Sequence, residues 1–212
     1  MVKIMKGKIF VISAPSGAGK TTLCKRLAKK LPALFYSVSY TTRKRRPGEK
    51  EGIDYYFISQ KEFEKKIKKK EFAEWAEVYD NCYGTSAKFL KESVSKNKKI
   101  VLSLDQQGAL QIKKKYPKIT SLIAILPPSL EDLRKRLKKR GETQKEIKKR
   151  TSVSSREIKF FKEKYDYKIV NKDLDDSLER LKEIINSATN NTRIKTDSTA
   201  VIAWQSLTSM KR

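Results

Sequence analysis

The 212-residue sequence contains no histidine and only two cysteines, Cys24 and Cys82. The first absence removes imidazole as general base, proton relay or metal ligand. The second leaves no C-x-x-C pair, and two thiols so far apart in sequence are expected to be reduced rather than bridged. No apolar run approaches the roughly 18 residues of a membrane span, and the N-terminus has no signal-peptide core ending in a cleavage site. Nothing is therefore expected to anchor or export the chain, and a cytoplasmic location follows as the expectation. Acidic residues are also in short supply, 24 against 50 basic ones, for a formal net charge of +26. Such an excess predicts a strong positive field and polyanionic partners. Nucleic acid is disfavoured as that partner, because the lysines lie in many short runs, such as Lys65 to Lys70 and Lys113 to Lys115, and not in one basic and aromatic stripe. A lysine-rich solvated surface is the favoured reading. No internal repeat is present.

What is there suffices for one sizeable domain with a small insertion: 38% of residues are hydrophobic and 35% charged. Short β-branched runs alternate with segments of helical period, the pattern of a parallel sheet wrapped by crossover helices. Ile9 to Ser13, Ile100 to Leu104, Leu122 to Leu126 and Tyr167 to Val170 are the expected core strands. Leu130, Leu133 and Leu137 follow Ser129, an N-cap with Asp132 three residues on. Leu174, Leu178, Leu181 and Ile185 mark a further amphipathic helix capped by Asp173. From about Phe35 to Tyr83 the chain turns aromatic and strand-like around one lysine-rich helix near Lys61 to Lys70, which suggests an inserted subdomain. Arg140 to Lys164 carries many charges and a Thr-Ser-Val-Ser-Ser run, and is expected to stay outside the core as a mobile flap. After Ser187 the sequence reads as a disordered tail.

The segment A-P-S-G-A-G-K-T, Ala14 to Thr21, follows the first strand and opens a helix carrying Leu23, Leu27 and Leu31. That is the setting of a Walker A loop. Gly17 and Gly19 let the backbone turn, so that successive N–H groups of a loop completed by Ala14, Pro15, Ser16 and Ala18 converge on phosphates at the positive end of the helix. Lys20 is expected to reach the terminal phosphates, and the Thr21 hydroxyl to ligate magnesium, a hard cation that bridges the β- and γ-phosphates. Ala14 stands where the strict pattern has its first glycine, which matters only if that position demands positive φ. A glycine-rich turn with a chance lysine is the plainer alternative.

Seven further segments, in order, resemble the guanylate kinase family: S-V-S-Y-T-T-R-K-R-R-P-G-E, G-I-D-Y-Y-F, E-F-A-E-W-A, Y-G-T-S, D-Q-Q-G-A, P-P-S-L-E-D-L and R-L-K-K-R-G. The resemblance runs from about Gly7 to Ile185. It implies an α/β fold, a P-loop three-layer α/β/α arrangement with a parallel core sheet, an inserted GMP-binding subdomain and a lid. On that pattern residues 1–187 form the domain, with its core at about 7–34, 98–139 and 165–187, the subdomain at about 35–97 and the lid at about 140–164, and 188–212 form the tail. The implied reaction passes a phosphoryl group from ATP to GMP, with magnesium as cofactor.

The residue chemistry fits a nucleoside monophosphate site in its own right. Arg43 and Arg46, before Pro47-Gly48, offer two guanidinium forks to a phosphate dianion. The resemblance adds Tyr55 and Tyr83 to that grip, whereas a solvated basic loop and two core-edge tyrosines are the plainer reading. Guanine presents two adjacent donors that a single carboxylate can accept at once. The family's base-reading glutamate matches Glu74, and Ser39 and Thr85 match positions on the base edge; Glu74 is otherwise an exposed strand carboxylate. Arg136, Arg140 and Arg150 match lid arginines that reach the polyphosphate on closure, stabilising migrating charge and excluding water, or else form one more basic helix face. Asp105 ends a strand where P-loop enzymes often keep an acid near magnesium or acceptor, or is a helix N-cap. Asn171 matches a position near the adenine of ATP, or is a turn residue. The expected catalytic set, Lys20, Arg43, Arg140 and Arg150, works by alignment and charge neutralisation with no covalent intermediate, so the absence of histidine is no handicap.

Ser103 stands where the family commonly carries an acid, which removes one carboxylate from the acceptor cleft. Gln106 and Cys82 also differ, at positions not expected to do chemistry. Thr151 to Ser155 are weak helix formers and predict a looser lid. Three rival functions stay open: a P-loop kinase of another phosphorylated small molecule, an inactive binding module, in which the loop lysine is usually lost, and a nucleic-acid-binding protein supported by charge alone. The oligomeric state is left open.

Overall fold

The run Lys8–Ser13 (β1) is buried at every residue but its first, as expected of a strand covered on both faces. It comes from a computed structural model in which residues 7–190 are described. In chain order there follow α1 (Lys20–Lys30), β2 (Leu34–Tyr36), β3 (Tyr40–Thr41), β4 (Tyr56–Phe57), α2 (Gln60–Lys68), β5 (Phe72–Val78), β6 (Asn81–Ser86), α3 (Ala87–Ser95), β7 (Lys99–Ser103), α4 (Gln106–Lys115), β8 (Thr120–Leu126), α5 (Leu130–Lys139), α6 (Gln144–Lys164), β9 (Tyr167–Val170) and α7 (Leu174–Asn190). The fold is α/β about a parallel central sheet of order β2-β7-β1-β8-β9, and a second sheet has the order β4-β3-β6-β5. The described residues divide into two compact units, one of 7–11 with Lys30–Thr120, the other of Ile12–Lys29 with 121–190.

In the first unit β2 pairs in parallel with β7, Phe35 opposite Ile100. Ile9, Phe10, Ile100, Leu102 and Ile112 are completely buried there. The second sheet owes its register to a two-residue turn: Val78 pairs with Asn81, and Tyr79 and Asp80 between them both have positive φ, 49° and 62°. Two such residues in succession make the hairpin turn whose twist matches the strands. The count back from that turn puts Glu74 opposite Thr85 and Ala76 opposite Tyr83. Side chains alternate along a strand, so Glu74, Thr85 and Tyr83 share one face. α2 begins with a capping box, Glu62 N–H donating to Ser59 Oγ at 3.2 Å and Ser59 N–H to Glu62 Oε2 at 2.8 Å.

In the second unit β8 and β9 pair in parallel, Ile125 opposite Ile169. The two helix caps read from sequence are present: Asp132 N–H donates to Ser129 Oγ at 2.9 Å, and Asp175 and Asp176 N–H to Asp173 Oδ1 at 2.8 and 3.0 Å. α5 stops at Lys139, and beyond its cap Gly141, with φ of +81°, turns the chain so that its N–H reaches Lys138 O and the next N–H reaches Leu137 O, closing the orphan carbonyls.

Two expectations are corrected. Arg140 to Lys164 does not stay outside the core: α6 spans 21 residues, buries Ile147, Thr151, Ser154, Ile158 and Phe161 along one side, and starts with a capping box of Thr143 and Glu146. Ile147 joins Leu133 and Leu137 in a buried cluster. The five buried residues recur at helical spacing, and the hydroxyls among them hid that period. Phe35, read as the start of the insertion, belongs to β2 in the central sheet; a three-residue strand is too short for its alternation to register. α7 runs past Ser187 to Asn190, and the rest of the expected tail lies outside the described residues.

Candidate active site

The phosphate loop belongs to the second unit. Positive φ occurs in it only at Gly17 (+92°) and Gly19 (+99°), so Ala14 sits where any L-residue fits. Ala18 N–H donates to Pro15 O at 3.1 Å and Leu23 N–H to Gly19 O at 3.1 Å, turning the strand into α1. Lys20 is the first residue of that helix and half-buried, and Thr21 is exposed beside it. A Cβ on Gly17 would touch Leu137 and Leu133 of α5 at 3.0 and 3.1 Å. At Gly19 it would run into the Asn171 amide, which is buried and donates to Ala18 O at 2.8 Å. Asn171 is thus more than a turn residue, since it braces the loop from the end of β9.

The loop also gathers two of the three expected lid arginines. Arg136 donates to Asn171 O at 2.8 Å and to Ala18 O at 3.4 Å. Arg150 of α6 donates to Ser16 Oγ at 2.8 Å and forms an ion pair with Glu142. Arg140 is not gathered in; it caps the C-terminus of α5 and is exposed.

The acceptor residues all belong to the first unit and fall into two groups. In one, Arg43 lies over the Tyr55 ring, 5.4 Å from its centroid, and the Tyr55 and Tyr83 rings meet edge to face at 6.0 Å. Arg43 Nη2 donates to Glu49 Oε1 at 2.7 Å, and Arg46 N–H to Glu49 Oε2 at 2.8 Å. Burial works against the Arg43 charge, but the bond and charge of Glu49 outweigh it and lift the guanidinium above its usual range. Burial pushes the Tyr55 phenol up, so it stays protonated. Arg46 gives its backbone N–H to Glu49, and its exposed side chain adds charge.

In the other group, Glu74 is 4% exposed and its Oε1 accepts the Thr85 hydroxyl at 2.6 Å, with Thr85 fully buried. The exposed-carboxylate reading of Glu74 is therefore wrong; the hairpin register turns it inward. Asp105 caps α4, accepting Gly108 N–H at 2.9 Å, so its helix-capping reading holds. Ser39 is buried, and its carbonyl accepts Tyr56 N–H at 2.9 Å. Ser103 is half-buried at the end of β7.

A model of the family described as guanylate kinase matches residues 6–188. The chain belongs to the guanylate kinase family. It is 46% identical over 188 residues to the guanylate kinase of Clostridioides difficile, covering 88% of this chain and 91% of that one. With the guanylate kinase of Geobacter metallireducens it shares 48% over 181 residues, 85% and 88% of the two chains. Among solved structures, the guanylate kinase of Anaplasma phagocytophilum is similar with a TM-score of 0.74 and 35% identity over 87% of each chain.

Guanylate kinase family membership accounts for the motif residues, yet Glu49 and Glu142 were not among the expected site residues. Both had a local signal. Arg46-Pro47-Gly48-Glu49 is a proline-glycine turn, closed by Glu49 N–H on Arg46 O at 3.1 Å with φ of +80° at Gly48. Glu142 directly follows Gly141, the glycine of the turn after α5. Each carboxylate is delivered to its arginine by a turn, and only the turns were legible.

Proposed function

We propose that this chain transfers the γ-phosphoryl group of ATP to GMP or dGMP, giving ADP and GDP, in the cytoplasm. The observation that carries the reading is the buried Glu74 carboxylate, held by Thr85 on the sheet face it shares with Tyr83. A carboxylate in that position can accept both the ring N1–H and the amino group of guanine, and adenine would forfeit those two bonds at a cost of about 1–3 kcal/mol. Arg43 with Tyr55 and Tyr83 supplies cation and phenols for the acceptor phosphate. On the donor side, Gly17 to Lys20 hold the triphosphate and Arg136 and Asn171 brace them. Arg150 and Arg140 neutralise charge as it moves, and residues 140–164 serve as the lid.

Among the described residues no group of three or more Asp, Glu, Cys or His side chains can hold a metal. The one oxygen expected at the loop, the exposed Thr21 hydroxyl, suits Mg2+, which keeps its waters and binds mostly through nucleotide phosphates. When bound, Mg2+ supplies charge neutralisation between the β- and γ-phosphates. Among the described residues no helix is long and apolar enough to cross a membrane, and Cys24 and Cys82 are buried thiols outside any disulfide; the cytoplasmic setting rests on the thiols and on the nucleotide substrates.

The test is ADP release from Mg-ATP with GMP, dGMP, AMP, UMP and ribose phosphates as acceptors. Turnover with GMP and dGMP well above the others is expected. No GMP-dependent turnover would sink the proposal.

A further inference from the structure

Helix α4 carries Asp105 as its cap and then Gly108 and Gln111 at spacings of three, which align on one face. That face meets the edge strand β5. Gln111 treats the strand as a neighbouring strand would: its Nε2 donates to Trp75 O at 2.8 Å and its Oε1 accepts Trp75 N–H at 3.3 Å. One turn earlier, Gln107 Nε2 donates to Glu77 O at 3.4 Å. Gly108 is buried, and a Cβ added there would overlap Glu74 Oε2, lie 3.1 Å from Glu74 Cδ and 3.3 Å from Asp105 Oδ1. Nothing in its backbone calls for glycine, since its φ is not positive, and glycine weakens a helix interior relative to alanine. The missing side chain is instead the space that one edge of the Glu74 carboxylate fills, while Thr85 holds the other edge.

We propose that Gly108 and Gln111 are positioning residues that set the Glu74 carboxylate for guanine, Gly108 by leaving it room and Gln111 by fixing the strand that carries it. The inference rests on Glu74 being the base reader. A methyl group at 108 drives the carboxylate off its line with guanine, so discrimination is lost before binding of ATP is touched.

Gly108→Ala, Glu74→Ala and the double variant are compared in the ADP-release assay with GMP and with inosine monophosphate, which lacks the amino donor. Gly108→Ala is expected to raise KM for GMP on the order of tenfold to a hundredfold, the weight of charge-assisted hydrogen bonds. It should narrow the preference for GMP over inosine monophosphate and leave KM for ATP within about twofold. In the Glu74→Ala background it should add nothing, because the group it displaces is gone. Unchanged GMP kinetics in Gly108→Ala, or a full effect in the double variant, overturns the inference while leaving the base-reading role of Glu74 standing. Unchanged GMP use in Glu74→Ala itself removes that role and the inference with it. Should thermal unfolding show that Gly108→Ala does not fold, Gln111→Ala carries the test without adding volume. It should raise KM for GMP and narrow the preference at constant KM for ATP, and unchanged GMP values there overturn the proposal equally.

Discussion

Replacing Glu49 by glutamine keeps the shape of a side chain that takes two hydrogen bonds and removes its charge. Arg43 Nη2 and Arg46 N–H donate to its two oxygens at 2.7 and 2.8 Å, and the Arg43 and Glu49 side chains are 13% and 18% exposed. Glutamine retains one acceptor, so one charge-assisted bond and the ionic component of the other are lost, a cost of about 2 kcal/mol. For a chain of this length that lowers Tm by about 4–8 °C. The pH dependence fixes the cause. Burial pushes the Glu49 carboxyl up, but the bonds and charges of Arg43 and Arg46 outweigh that and hold it below its ordinary value. A depressed value in the folded state means that the stabilisation is complete above the unfolded value, about 4.3 for glutamate, and is lost as pH falls through the folded one. Thermal unfolding of parent and Glu49→Gln should therefore differ at neutral pH, and the gap should close as the solution is acidified below about pH 4. A gap that survives undiminished at about pH 3, or none at neutral pH, refutes the account.

Lys20→Ala should abolish turnover in the ADP-release assay while leaving Tm close to that of the parent, since Lys20 is half-buried at the start of α1 and not in the core. Gly19→Ala should destabilise by about 1–3 kcal/mol in urea unfolding, from the strained backbone alone, with the displaced Asn171 amide adding to it. Glu74→Gln offers guanine one acceptor and one misplaced donor, and should raise KM for GMP at nearly constant KM for ATP; an unchanged GMP preference would remove Glu74 from the base-reading role.

Local chemistry made much of this legible in advance. The strand–loop–helix of Lys8–Lys30, the four core strands and the caps Ser129 and Asp173 each depend on residues within a few positions of one another. Those are the distances over which period and capping act. What could not be read depends on partners far along the chain. Asn171 braces Ala18 across 153 positions, and Arg150 reaches Ser16 across 134. Glycine at 108 explains itself only once Glu74, from another element, is seen beside it. The turn of α6 toward a buried face was hidden for a different reason: Thr151 and Ser154 occupy positions where an apolar residue would have announced the period.

Those two hydroxyls also divide α6 energetically. Its first turns are anchored by Ile147 in the cluster with Leu133 and Leu137, and its end by Phe161, whose ring lies 4.8 Å from that of Tyr165. Between the anchors Thr151 spends its hydroxyl on Ile147 O at 2.6 Å, and the buried Ser154 Oγ has no hydrogen-bond partner among the described residues. An orphaned buried hydroxyl costs about 1–3 kcal/mol, and neither residue returns the ~1.5–3 kcal/mol that a buried leucine would. The middle of the helix is thus held by Ile158 as its one buried apolar side chain between those anchors, and contributes less to stability per buried residue than its ends. A leucine at either position would close that gap, so the firmness of the helix is set at Thr151 and Ser154.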